Sequence, residues 1–160
     1  MRDFEQIYAE HVKAVRAYVR RRAPGDVVDD VVSETFLVCL RRIDAVPDAA
    51  LPWLYGVARK TLANERRRRA RTSPVPSEAV ADPEPVGDGI LAAAFAELGE
   101  RDREVLRLVA WEGLSLRQAA TVLGCSAVAC RVRYHRAKSR LAARLEAAAS
   151  FRPKPEGVLR

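Results

Sequence analysis

"LSLRQAATVLGCSAVACRVRYHRAKSRL", Leu114 to Leu141, is the stretch on which the fold turns. Ser115 followed three residues later by Gln118 has the form of a capping box, in which two side chains satisfy backbone N–H groups at a helix start. Ala119 and Ala120 let another helix approach closely, Gly124 supplies a turn, and Ser126 is placed to cap a second helix. The pattern predicts a helix-turn-helix; a generic helical hairpin is the plainer alternative. Along the second helix Cys130, Tyr134, Ala137, Leu141 and Leu145 recur every three or four residues and form an inward stripe. Opposite them lie Arg131, Arg133, His135, Arg136, Lys138 and Arg140, more positive charge than solubility alone explains. The N-terminal part of such a helix enters the major groove, which puts Ala127, Val128, Arg131 and Val132 near base edges and the later cations nearer phosphates. Arginine reads guanine bidentately, whereas alanine and valine touch a thymine methyl or fill space.

Outward from this motif, the same half of the chain opens with an apolar helix around Ile90 to Leu98, punctuated by Gly99, and a second from about Arg101 to Glu112, punctuated by Gly113. The other half reads as three helices. In the first, Phe4, Ile7, Tyr8, His11, Val12, Val15 and Val19 follow the helical repeat, with Asp3 and Gln6 resembling a capping box and Pro24-Gly25 as the stop. A second, about Asp26 to Arg42, buries Val28, Val32, Phe36 and Leu40 and carries early acids that suit a helix N-terminus. The third starts near Pro52, uses Trp53, Leu54, Val57, Ala58 and Leu62, and runs into Arg66, Arg67, Arg68, Arg69 and Arg71. Between the halves, "TSPVPSEAVADPEPVGDG" (Thr72 to Gly89) holds four prolines, two glycines and four acids but no Lys or Arg, so it reads as a flexible, acidic, proline-rich linker. The expected organisation is a domain at 1–71, a linker at 72–89, a domain at 90–149, and a disordered tail at 150–160.

Composition supports this. Eight glycines, 6% aromatics and abundant alanine, leucine and arginine favour helix, and 49% hydrophobic residues suffice for cores. The expected fold class is therefore all-α: two small helical domains on a flexible linker. A net charge of +7 makes an anionic partner plausible. The first 71 residues carry fifteen Lys or Arg against ten acids, and residues 90–160 thirteen against seven, so both halves are basic. No run of eighteen apolar residues exists and the N-terminus lacks a signal-peptide pattern, which points to a cytoplasmic protein without membrane insertion. Cys39, Cys125 and Cys130 show neither paired nor C-x-x-C spacing and read as reduced thiols. Cys125, Cys130 and His135 stand five residues apart, and each step turns about 140° from a common helix face, so no metal site is expected. No cofactor loop or nucleophile–base arrangement stands out, and the chain reads as a non-enzyme with no catalytic residues.

Taken in order, these segments resemble the extracytoplasmic-function (ECF) sigma factors, group IV of the sigma-70 family of bacterial RNA polymerase. "VVDDVVSETFLVCLRR" (27–42) is similar to the family's acidic second helix: Asp30, Val31, Val32, Glu34, Thr35 and Phe36 match its Asp-Leu-Val-Gln-Glu-Thr-Phe run, with Ser33 in the glutamine's place. "WLYGVARKTLANERRRRAR" (53–71) resembles the promoter-melting helix, with Lys60 where asparagine is usual. "LGERDREVLRLVAWEGLSLRQAATVLGCS" (98–126) and "RVRYHRAKSRL" (131–141) resemble the promoter-reading domain, with Ala129, Cys130 and Val132 replacing the usual threonine, valine and serine.

The resemblance implies a three-helix sigma region 2 followed by a four-helix sigma region 4. It implies core RNA polymerase as a partner, through the clamp coiled coil of the largest subunit and the flap of the second largest, with Asp30, Val31 and Glu34 on the clamp-binding helix. Promoter DNA is the second partner. The minus-ten element falls to Arg59, Lys60, Asn64, Arg66, Arg67, Arg68, Arg69 and Arg71, with Trp53 and Tyr55 the aromatics within reach and Trp53 read as core. The minus-thirty-five element falls to Ser126, Ala127, Val128, Arg131, Val132, Arg133, His135 and Arg136, with fewer hydrogen bonds to bases than usual. An anti-sigma factor is a further partner that such proteins often have. The implied function is DNA-templated transcription initiation; the alternatives are a stand-alone helix-turn-helix regulator binding duplex as a dimer, and an adaptor that docks another protein.

Overall fold

The computed structural model describes residues 3–72 and 89–151. Every regular element among them is helical: α1 (Phe4–Arg20), α2 (Gly25–Arg41), a 3₁₀ turn (Ile43–Ala45), α3 (Ala50–Thr72), α4 (Gly89–Ala96), α5 (Glu100–Ala110), α6 (Leu116–Leu123) and α7 (Ala127–Ser150). Most of the linker expected at 72–89 and all but the start of the tail expected at 150–160 lie outside the described residues; Thr72, Gly89 and Ser150 are helical.

In the first half α1, α2 and α3 pack around Ile7, Val15, Val19, Val28, Val32, Phe36, Leu54, Ala58 and Leu62. Two expected details differ. Asp3 makes no side-chain cap, and the reciprocal half of the box is missing too, since Gln6 Nε2 donates along the helix to Glu10 Oε1 (3.1 Å). The inward position near the end of α2 is Cys39, fully buried, whereas Leu40 is 49% exposed. One residue is about 100° of helix rotation, enough to move Leu40 off the packed face.

In the second half α5 and α6 pack on α7, and α4 lies against α7's far end. The helix-turn-helix is built as its sequence suggests. Ser115 Oγ accepts from the Gln118 N–H (3.2 Å) while Gln118 Oε1 accepts from the Ser115 N–H (2.9 Å), completing the box. Gly124 takes φ +66°, a left-handed conformation that glycine adopts without steric cost. The Cys125 N–H then reaches back to Ala120 O (3.1 Å) and the Gly124 N–H to Thr121 O (3.3 Å), a Schellman closure of α6. Ser126 Oγ accepts from the Ala129 N–H (3.1 Å) and caps α7. Gly99 differs from expectation: it is the extended N-cap of α5 and not the stop of the preceding helix.

The halves do not have separate interiors. Their buried residues form one continuous cluster, with α6 packed along α3. The two helices come close at Gly56, where a Cβ would meet the Val122 carbonyl oxygen at 3.6 Å, ordinary contact distance. Beside this seam lies a polar cluster joining the C-terminal end of α1 to α5. Arg22, its side chain 4% exposed, donates from Nε to Glu104 (3.1 Å) and from Nη1 to Glu112 (2.9 Å) and to the Tyr18 carbonyl (3.0 Å). Arg21 holds the same Glu112 bidentately at 3.0 and 2.6 Å. Tyr18 donates its hydroxyl to Glu104 (3.2 Å), stacks on Tyr55 at 4.6 Å, and lies under the Arg22 guanidinium at 3.7 Å. The carboxylates that pair with Arg21 and Arg22 reach them only when the two halves meet, and even then Arg22 Nη2 is buried without a hydrogen-bond acceptor among the described residues.

Candidate nucleic-acid interface

Helix α3 carries the first basic surface. Its inner face is anchored by Leu54, Ala58 and Leu62, so Arg59, Lys60, Asn64, Arg66, Arg67, Arg68 and Arg71 emerge exposed, and Arg69 half-exposed. The arginine end projects beyond the core, but not every guanidinium there is available. Arg66 donates to Glu100 at the start of α5 (3.0 Å) and to the Arg22 carbonyl (2.9 Å). Arg68 pairs with Glu65 (2.7 Å), and Arg69 pairs with Asp26 (2.8 Å) and Glu65 (3.3 Å). Arg67 and Arg71 pair with no carboxylate among the described residues. Hydrogen bonds from Arg69 hold the Asp26 carboxyl below its ordinary range, and those from Arg68 and Arg69 do the same for Glu65.

The two aromatics read as close to this surface separate. Trp53 is partly buried against the core and also lines the cleft described next. Tyr55 is not available to a nucleobase: it is 3% exposed against Tyr18, and burial, with the nearby Glu112 carboxylate, pushes its phenol up to about 12.

A cleft of about 840 Å³ opens between α2, α3 and the turn after α6. Asp30 and Glu34 stand on one wall, Arg59, Lys60, Asn64 and Arg68 on another, and Thr121 to Gly124 close the third. Asp30 is exposed and Glu34 half-exposed, the latter 3.7 Å from Arg41. Val31, grouped with them by resemblance, is 2% exposed within the core. Its neighbours on α2 can face a partner; Val31 itself supports the helix.

Helix α7 carries the second basic surface. Cys130 and Ala137 are buried while Tyr134, Leu141 and Leu145 are half-buried, so the inward stripe is as expected. Ser126, Ala127, Val128, Arg131, Val132, His135 and Arg136 are all exposed, and Arg133 is half-buried. Farther along, Arg140 donates to Asp102 (2.6 Å) and Arg144 to Glu97, so these two cations fasten α7 to the preceding helices. Cys125 and Cys130 sit just before and one turn into α7, where an apolar pair commonly staples the helix start. Burial, reinforced by contact with Cys125, pushes the Cys130 thiol up. No group of three or more His, Cys, Asp or Glu among the described residues is arranged to hold a metal ion. No described helix is long and apolar enough to cross a membrane.

The Arg21, Arg22, Glu104 and Glu112 cluster was not foreseeable from spacing, since its members lie 82 to 91 residues apart along the chain. The only local signal was a run of three arginines just ahead of Pro24.

An all-helical chain with a capped helix-turn-helix and two projecting cationic helices belongs to the class of DNA-binding transcription proteins. The comparisons narrow this further. Residues 7–72 match the profile of sigma-70 region 2, and residues 88–141 that of sigma-70 region 4. The ECF RNA polymerase sigma factor SigF of Caulobacter vibrioides is 38% identical over 147 residues, covering 84% of this chain and 80% of that one. CnrH, solved in complex with the cytosolic domain of CnrY, superposes with a TM-score of 0.62 at 28% identity, over 90% of this chain and 88% of that one. The sigma factor RpoE of Bartonella quintana, solved with the anti-sigma factor NepR, gives a TM-score of 0.69 over 91% of this chain and 98% of that one; at 24% identity it shows the shared fold. The chain belongs to the sigma-70 family and, within it, to the ECF RNA polymerase sigma factors.

Proposed function

We propose that this sigma factor works in the cytoplasm as a dissociable initiation subunit and performs no covalent chemistry itself. Asp30 and Glu34 on α2 face basic residues of the clamp coiled coil in the largest subunit of core polymerase, and the second half meets the flap of the second largest. The exposed N-terminal turns of α7 engage the minus-thirty-five element. Arg59, Lys60 and Asn64, with Arg67 and Arg71, which pair with no carboxylate among the described residues, follow the backbone at the minus-ten element, where charge gives affinity without sequence preference. The other arginines join as their carboxylate partners are exchanged for phosphates. An anti-sigma factor is the further partner, by analogy with the relatives solved with one.

One observation supports this reading above the others: cationic helices α3 and α7 lie in separate halves that match the two sigma-70 regions, with an acidic α2 surface beside the first. Run-off transcription with purified core polymerase tests it. Stimulation on promoters from the source genome is expected; none on any such promoter, with binding to duplex alone, would return the protein to the class of stand-alone regulators.

A further inference from the structure

Cys39, Cys125 and Cys130 are all free thiols, and two of them touch. Cys39 is fully buried in the first half, where burial alone pushes its thiol up. Cys125 and Cys130 instead flank one helix start. Cys125 completes the turn that closes α6, its N–H donating to Ala120 O (3.1 Å), and Ser126 follows as the cap of α7. The Cys130 N–H donates to Ser126 O (2.9 Å), the first helical bond of α7, which returns the chain to the level of that cap. There the two cysteine side chains share a hydrogen bond, with Arg133 close enough to oppose the effect of burial on Cys130. Cys130 is fully buried, whereas Cys125 is partly open to solvent. An apolar staple accounts for the contact but requires sulfur on neither side. The pair combines what thiol oxidation needs: one accessible sulfur, a second held against it, and a nearby cation.

We propose that Cys125 and Cys130 are a peroxide-oxidised thiol pair, and that their disulfide loosens the grip of α7 on the minus-thirty-five element. Hydrogen peroxide is the oxidant. Its O–O bond breaks as the Cys125 sulfur takes one oxygen to become a sulfenic acid, and one water leaves. The Cys130 sulfur then attacks the Cys125 sulfur, the S–O bond breaks, and a second water leaves with the Cys130 proton. Cys125 reacts first because it alone of the two meets solvent; Cys130, already against it, resolves the sulfenic acid before further oxidation. The bridge is not a brace for the fold. It closes a loop with only residues 126–129 between its ends, too short to restrain the unfolded chain strongly, and disulfides of cytosolic proteins are chiefly transient ones that respond to redox state. Its effect is local. Joining the sulfurs draws the end of α6 and the first turn of α7 together across Ser126. Gly124 is set in its left-handed turn and Cys130 is anchored in the core, so the exposed Ser126 cap and the turn it starts must yield. The consequence for promoter binding rests on the sigma-factor reading above; the oxidation itself does not.

The reduced full chain is treated with hydrogen peroxide, freed of it, alkylated in denaturant and digested with trypsin. Cleavage after Arg117 and Arg131 leaves both cysteines in one peptide, residues 118–131. That peptide should escape alkylation and weigh two hydrogens less than its reduced form, while Cys39 remains open to the reagent. Holoenzyme assembled from core polymerase and the oxidised chain should bind a promoter from the source genome about fivefold more weakly than with the reduced chain, the equivalent of one helix cap lost, and dithiothreitol should restore it. Cys125→Ser, at a partly exposed position, should keep its helicity by circular dichroism and its promoter binding, and should lose the response to peroxide. Full alkylation of both cysteines after peroxide, oxidation of Cys39 at the same rate, or an undiminished response in Cys125→Ser overturns the thiol pair. A bridge that leaves promoter binding unchanged overturns its effect on α7. Failure of the reduced wild-type holoenzyme to bind or transcribe any promoter overturns the sigma-factor reading instead, and the mass of the peptide then judges the oxidation on its own.

Discussion

Glu112→Gln is the sharpest probe of how the two halves are joined. The Glu112 side chain is 1% exposed and accepts three hydrogen bonds, two from Arg21 and one from Arg22. Around it stand three cations, Arg21, Arg22 and Arg107, against two acids, Glu104 and Glu112. Burial acts to lower the Arg22 pKa, yet the Tyr18 and Glu104 interactions and the Glu112 hydrogen bond more than offset it, so the guanidinium stays charged. The amide keeps the shape and removes the charge, leaving Glu104 alone to neutralise a buried Arg22 and its neighbours. Stripping one partner from a buried pair costs about 3 to 5 kcal/mol, and the lower end applies here because Glu104 still holds Arg22 and Arg21 can turn to solvent. The expected loss is about 3 kcal/mol in urea unfolding. Because the charges lie between the halves, partial opening should precede melting: small-angle scattering should show growth beyond the radius of gyration of about 15 Å expected for a compact chain of this length, at unchanged helicity. Replacing Arg22 and Glu112 together by leucine should recover part of the loss. A loss below about 1 kcal/mol with an unchanged radius would refute the claim that these buried charges hold the halves together.

Three further outcomes are expected. Neutralising Arg67 and Arg71, which pair with no carboxylate among the described residues, should flatten the log–log salt dependence of promoter binding by about 0.7 to 0.9 for each phosphate no longer neutralised; an unaltered slope returns these residues to a solvated surface. Glu34→Arg should weaken co-purification with core polymerase at unchanged helicity, and full retention would remove Glu34 from that interface. The folded pKa of Asp26 is depressed below 3.8 and that of Glu65 below 4.5, so their grip on Arg68 and Arg69 is complete above the upper value and disappears as pH falls through the depressed ones. Amide ¹⁵N relaxation in residues 66–71 should therefore report increased mobility on acidification through that window and none on moving from pH 6 to pH 8.

The helices and the helix-turn-helix were legible because their causes are local. A capping box spans four residues, the left-handed turn needs one glycine, and the stripe on α7 repeats every three or four positions; each fits within a turn or two of helix. The same locality made the exposed cation set of α7 readable, since Cys130 and Ala137 define the inner face and the rest must point away. Where two adjacent positions compete for one inward direction, as with Cys39 and Leu40, periodicity alone misplaced the burial by one residue. Val31 and Tyr55 were grouped with partner-facing residues by resemblance; their burial, to 2% and 3% exposure, comes from packing between helices that no local motif encodes.

By itself, then, the sequence determined that the chain is helical, where its recognition motif lies, and which side of α7 is cationic, because helix propensity, caps and charge act over a few residues. The tertiary structure alone decided that α6 lies along α3, that Arg21 and Arg22 are sequestered by Glu104 and Glu112, and which arginines of the basic run are already paired. A carboxylate placed more than eighty residues from its guanidinium leaves no periodic trace, and its identity as a partner exists only once folding has brought the two into the same low-dielectric space.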